Sequence, residues 1–171
     1  MKKISINVFS ESSINNAIAE LRAYKEKMNR QFSDGVLETM ANARETADNI
    51  FQGALYSGDN DVSTTLEASG NTVKIVAHGQ SVAFIEFGTG IVNGAYGGKI
   101  PDNVSGRGQY GQGKGSNEHW VYEGNPGNNG RIIRNDNIVL THGDPPAEAM
   151  LTARNEIVER ITETVRSKFN D

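Results

Sequence analysis

No cysteine occurs anywhere in the 171 residues. That absence removes disulfides, thiol nucleophiles and cysteine-based zinc sites together, and leaves the compartment open, since many cytosolic proteins also lack cysteine. A basic excess is missing too. The formal net charge is −4, and a protein that grips phosphates would show a surplus of lysine and arginine. A mild acidic balance suits a surface that DNA slides past, although most acidic proteins never meet DNA. Long hydrophobic runs are absent: nothing approaches the roughly 20 residues that span a bilayer. Met1-Lys2-Lys3 could open a signal peptide, but Ile4-Ser5-Ile6-Asn7-Val8 is too polar to be its apolar core. The expectation is a soluble protein made in a cytoplasm. The apolar fraction, 36%, is low for a globular chain.

Glycine is abundant and concentrated. Phe84-Ile85-Glu86-Phe87-Gly88-Thr89-Gly90 reads as an aromatic run, strand-like, that stops at glycine. From there a Gly-, Asn- and Ser-rich tract extends to about Gly130. So long a connection with so little pattern belongs to a loop with a task of its own.

Around this tract the chain reads as one domain, 1–171, of class α+β: an antiparallel sheet flanked by N-terminal helices and a C-terminal helix, with the Gly-rich loop inserted. Its parts are an N-terminal strand and helices over 1–57, a hairpin and motif strand over 61–89, the insertion over 90–130, and short strands with the C-terminal helix over 131–169. Residues 3–9 alternate, with Ile4, Ile6 and Val8 on one side, which predicts a strand. Ile14, Ala17, Ile18, Leu21, Tyr24 and Met28 then recur at helical spacing, and so do Val36, Met40, Ala43, Ala47, Ile50, Phe51 and Ala54. Ser33-Asp34-Gly35 lies between the two sets. Either two helices form a hairpin there or one long helix bends at Gly35. Val62, Thr64, Leu66 and Ala68 alternate, as do Val73, Ile75 and Ala77, across Gly70-Asn71, which predicts a β-hairpin. The apolar content of Val82 to Phe87 is too continuous for periodicity to separate strand from helical turn. Short strands are expected at 118–123, 131–133 and 138–141. Asp144-Pro145-Pro146 should open the last helix, Asp144 as N-cap, with Met150, Ala153, Ile157, Ile161 and Val165 as its apolar stripe.

Motif chemistry is sparse. Gly106-Arg107-Gly108-Gln109-Tyr110-Gly111 matches G-x-G-x-x-G, yet no strand precedes it and no helix follows, so the pyrophosphate would have no helix N-terminus to meet. Lys114 is followed by Gly115, where a phosphate-binding loop needs Ser or Thr. His78, His119 and His142 are scattered and lack metal-ligand spacing. Ser81 lacks the second glycine of a nucleophile elbow. Glu86 and Glu118 could be imagined as a hydrolase pair, but a salt bridge or polar position is the plainer reading of Glu86. No catalytic residue, cofactor or metal is expected. Tyr96, Tyr110, Trp120 and Tyr122 lie in or beside the loop and suit contact with another protein surface.

Two places together resemble a known family. Val82-Ala83-Phe84-Ile85-Glu86-Phe87-Gly88-Thr89 is similar to the Glu-Phe-Gly-Thr signature of phage tail-completion (head–tail joining) proteins, and Pro145-Pro146-Ala147 resembles the Pro-Ala motif that opens their C-terminal helix. The resemblance implies a structural virion protein and not an enzyme. Its copies would form a ring, usually a hexamer, at the head–tail junction, between a head connector or stopper protein and a tail tube or terminator protein. DNA would pass through the lumen without specific binding, and no membrane would be involved. Phe84, Glu86, Phe87, Gly88, Thr89, Pro145, Pro146 and Ala147 would then define the fold or the ring contact. Departures from the family pattern are Ala149-Met150, where Pro-Phe is common, and the length of the insertion. The alternatives are a terminator of a headless tail-like particle, a small tail-associated cell-wall hydrolase, and a DNA-contacting connector component.

Overall fold

The computed structural model describes residues 6–89, 119–134 and 137–169. The element order is α1 (Glu11–Gly53), β1 (Ser63–Ser69), β2 (Thr72–His78), α2 (Val82–Phe87), β3 (Trp120–Glu123), β4 (Arg131–Arg134), β5 (Ile138–Thr141) and α3 (Ala149–Lys168). The class is α+β, as the patterns predict. Two compact units are present: Met1–Thr39 with Val158–Asp171, and Met40–Ile157.

In the first unit, the choice at Gly35 resolves to one continuous helix, so a single long helix replaces the expected plural. Gly35 is there for packing and not for a turn. A Cβ at that position would lie 2.8 Å from the Cα of Val165, so only glycine lets the α3 backbone come so close. Thr39 donates its hydroxyl to the Gly35 carbonyl at 2.9 Å. Gln31 donates to the Lys168 carbonyl, and the Lys168 ammonium pairs with Glu38 at 2.6 Å. The expected strand over 3–9 does not form where it is described: residues 6–10 make a turn leading into α1. There Asn7 accepts from the Phe9 amide at 3.1 Å while its own amide donates to Ser13 at 2.9 Å. An alternating run becomes a strand only with a ladder partner, and asparagine offers its backbone a local alternative.

The second unit holds the core. Phe51, Ala54, Val62, Ile85 and Ala149 form one buried cluster, and Ala43, Ala47 and Ala153 another. Alanines at 43 and 47 form the small-residue face of α1, which allows close packing of Ile75, Met150 and Ile157. The hairpin forms as expected, with Ser69 opposite Thr72 across Gly70-Asn71 and Gly70 at φ 57°. Leu66 faces Ile75 and Thr64 faces Ala77, which turns the apolar set to one side. Asp48 holds the first turn of β1, accepting from the Thr64 amide at 3.2 Å and its hydroxyl at 2.8 Å. The short strands also form. β5 lies between β3 and β4, antiparallel to both, and buries Val139 and Thr141. Val82–Phe87 is a short helix, so the strand-like reading of the motif is corrected. Ser81 at its start and Gly88 at its end leave room for one turn and a half, and Ile85 seals the core.

Asp61 joins the hairpin to α2. Its carboxylate accepts from the amides of Gln80 at 2.6 Å and Ser81 at 2.9 Å. These two amides hold the Asp61 carboxyl below its ordinary value of 3.8.

Two outcomes follow. Phe51→Ala empties a fully buried site, and a loss of about 3–5 kcal/mol is expected in denaturant unfolding. A carboxyl whose folded pKa is depressed adds stability above its unfolded pKa and loses it as pH falls through the folded value. Stability measured on acidification below about pH 4 should therefore decline less steeply in Asp61→Asn than in the parent chain; identical slopes would show that Asp61 makes no contribution.

Candidate functional site

The two segments singled out by sequence meet in the second unit. Gly88 and Thr89 leave α2 alongside Asp144, and the backbones pair: the Thr89 amide donates to the Asp144 carbonyl at 2.9 Å and the Asp144 amide returns to Thr89 O at 3.2 Å. Upstream, Ala147 donates to Ile85 O at 2.8 Å and Glu148 to Glu86 O at 3.2 Å. Gly88 is required here on two grounds. Its φ is 73°, and an added Cβ would lie 2.7 Å from Asp144 O and 2.8 Å from Pro146 N.

Glu86 is buried, with 7% of its surface exposed. Its carboxylate reaches the start of α3, where Oε2 accepts from the Met150 amide at 3.0 Å and Oε1 from the Leu151 amide at 3.2 Å. The first amides of a helix have no intrahelical acceptor, and negative charge there is favoured by the helix dipole. An N-cap is normally the residue just before the helix; here the capping carboxylate comes from 64 residues upstream. Glu148 takes the backbone part of the cap, its carbonyl accepting from Thr152 at 2.9 Å. It does so at φ 51°, a left-handed conformation that side chains rarely adopt.

This corrects the expectation for Asp144. α3 begins at Ala149, so Asp144 is not its N-cap. Pro145 and Pro146 explain the delay, since each imino acid removes a donor and restricts the residue before it. Asp144 instead lies buried at the centre of a second network. Its Oδ1 accepts from the Ser57 amide and hydroxyl, both at 2.7 Å, and from Asn129 at 3.0 Å, while Oδ2 accepts from Thr89 Oγ1 at 2.8 Å. Ser57 has one hydroxyl proton, spent on Asp144, so Thr141 donates across the 2.9 Å Ser57–Thr141 contact. Asn128 binds the same stretch, accepting from the Tyr56 amide at 2.7 Å and donating to Ala54 O at 3.0 Å.

Two concave surfaces flank this clasp. A cleft of about 400 Å³ is bordered by Asp59, Phe84, Thr89, Trp120 and Glu123. A more apolar groove of about 460 Å³ is bordered by Val82, Phe87, Pro146, Met150 and Leu151. Trp120 is partly exposed on the edge strand β3. Tyr122 donates its hydroxyl to Asn125 O at 2.7 Å, and burial, then the charge of Asp144, pushes the phenol up from its ordinary value of 10.0. Tyr96, Tyr110 and Glu118 lie outside the described residues, as does the Gly-rich run at 106–115. His119 and His142, far apart in sequence, come together with ring centroids 5.5 Å apart. Among the described residues no three His, Cys, Asp or Glu side chains cluster as a metal site would, and no described helix is long and apolar enough to cross a membrane. Sequence reading missed Ser57, Asn128, Asn129 and Asp61. The one available signal was the unusual density of Asn, Asp and Ser at 57–61 and 125–129, typical of side chains that bond local backbone.

Compared with known proteins, the chain matches no family model, no curated protein and no solved structure.

The arrangement holds backbone in place; both carboxylates are engaged by N–H and O–H donors. Glu86→Gln keeps the shape but can offer only one acceptor oxygen to the two α3 amides, and a loss of about 1–3 kcal/mol is expected in equilibrium unfolding. Gly88→Ala, which meets both a backbone clash and a positive φ, should be the more damaging of the two. A Glu86→Gln variant as stable as the parent would remove the cap from this account.

Proposed function

We propose that this protein is a structural component of a phage particle, a tail-completion or neck adaptor whose copies form a ring between head connector and tail tube, with DNA passing through the lumen. The observation that carries the proposal is the clasp. The Glu-Phe-Gly-Thr and Pro-Pro-Ala segments are coupled in the resemblance, and here they are bonded to each other through Ile85, Glu86, Thr89, Asp144, Ala147 and Glu148. A segment pair that fixes a helix, with its glutamate committed to backbone amides, suits an assembly subunit better than a hydrolase that must move protons with that glutamate. Trp120 and Val121 on β3, and Ile132 and Ile133 on β4, expose apolar side chains that a neighbouring subunit could cover.

Deleting the gene from a producing lysogen and imaging the lysate tests the reading. The expected result is filled heads and finished tails that do not join, restored by the intact gene. Joined, infectious particles made without the chain would end it.

A further inference from the structure

β1 and β2 form a two-stranded sheet whose two edges differ. In an antiparallel pair each residue directs its N–H and C=O to one side, and the side alternates along the strand. On β1 the outward groups meet α1. The Thr64 amide donates to Asp48 and its carbonyl accepts from Arg44, both at 3.2 Å, while Gln52 donates to the carbonyl of Val62 at 2.8 Å. Thr64 stands opposite Ala77, so the backbone groups of Ala77 point away from β1, and those of Ile75 and Val73 follow at period two. Among the described residues nothing bonds these groups. The usual protections of an edge are missing as well. The register from Ser63 to His78 runs without a bulge, β2 contains no proline, and its one lysine, Lys74, is paired with Glu67 at 3.1 Å.

An open edge is completed by extended backbone, and the sequence of β2 selects which. The open positions Val73, Ile75 and Ala77 are symmetric about Ile75. We infer that β2 pairs antiparallel with β2 of a second copy, with Ile75 facing Ile75 on a two-fold axis, so that one continuous sheet crosses the contact. In this register every open N–H and C=O of both edges finds a partner; a register centred on Val73 or Ala77 leaves some of them unmet. Apolar residues meet apolar residues, Ile75 with Ile75 and Val73 with Ala77. Lys74 falls opposite Val76, so no like charges stand face to face. The apolar groove bordered by Met150 and Leu151 also reaches Ala77. Val73 of the second copy would lie beside Ala77 there and cover part of that groove, in which Leu151 is 46% exposed. Self-complementarity of this kind is what a two-fold contact requires. A two-fold contact is not a ring contact, so the pairing stands apart from the virion reading and either can fail alone.

The cysteine-free sequence makes the test clean, since each introduced thiol is the sole one. Positions 74 and 76 are opposite in the inferred register, at a pair whose Cα atoms lie about 4.5 Å apart, within disulfide reach. Two like positions lie on a diagonal at roughly 7–8 Å, beyond that reach. Full-length Lys74→Cys chains mixed with Val76→Cys chains under mild oxidation should therefore give a covalent dimer of one chain of each, at twice the 18.5 kDa chain mass. Neither variant should crosslink alone. Val73→Pro removes an outward amide that the chain itself does not use, and proline is tolerated on an edge strand. With its thermal unfolding checked against the parent, it should raise the dissociation constant read by sedimentation by roughly tenfold, since bonds across the contact are lost. A parent chain that stays monomeric at high concentration overturns the proposal, and so does the absence of a mixed dimer. Efficient crosslinking of either thiol variant alone means a parallel or shifted register and overturns it too. So does a Val73→Pro chain that folds like the parent and dimerises as well; should that variant fail to fold, the mixed crosslink decides.

Discussion

The second unit depends on one carboxylate. Glu86 is buried, and a buried charge without compensation costs several kcal/mol. Its compensation is the N-terminus of α3: two free amides and the positive end of a helix dipole. The bargain is mutual, because those amides would otherwise be orphaned beside a proline-rich entry that supplies no cap of its own. Charge-assisted bonds of this sort contribute about 1.5–3 kcal/mol each. Around them the clasp becomes over-determined. Thr89 and Asp144 exchange backbone and side-chain bonds, Gly88 permits the approach, and Glu148 is held in a conformation it would not choose.

Asp144 organises the next layer. Its bonds to Ser57, Thr89 and Asn129 draw the end of α1's connection, the exit from α2 and the approach to β4 to one point. Asn128 and Asn129 act as spacers between backbones that no ladder joins. Gly127, at φ 57°, lies so close to Tyr56 and Gly58 that no side chain would fit. The irregular stretches at 54–61 and 124–130 are thus joined without a ladder, through Asn128 to Ala54 and Tyr56 and through Asn125 to Asp59.

Regular elements were legible in the sequence because their signals are local. Period two on either side of Gly70-Asn71 gave the hairpin, and the stripe from Met150 to Val165 gave α3. Signals that depend on distant partners were misread or left open. Val82–Phe87 is apolar but for Glu86, so only its packing against Phe51 and Val62 decides for helix. Asp144 has the composition of an N-cap and the position of one, but two successive prolines displace the helix start, and the capping role passes to Glu86, 64 positions before Met150. At Gly35 the glycine looked like punctuation; its reason is a close approach by Val165 that no local pattern reveals. Residues 6–9 alternate without acquiring a described partner strand. For the candidate site, the motif residues were legible through resemblance, whereas the network of Ser57, Asn128 and Asn129 was not, since such residues are equally common in loops that do nothing.

The distance between Glu86 and its helix has a temporal meaning. A ribosome releases the carboxylate before it has made the amides that will receive it, and at about 5–20 residues per second the wait for those 64 residues is on the order of 3–13 seconds. During that interval the nascent chain can close its hairpin, but it cannot bury Glu86 without leaving a naked charge inside. Completion of the core is thereby tied to the arrival of the C-terminal helix, whose Ala149 belongs to the same buried cluster as Ile85.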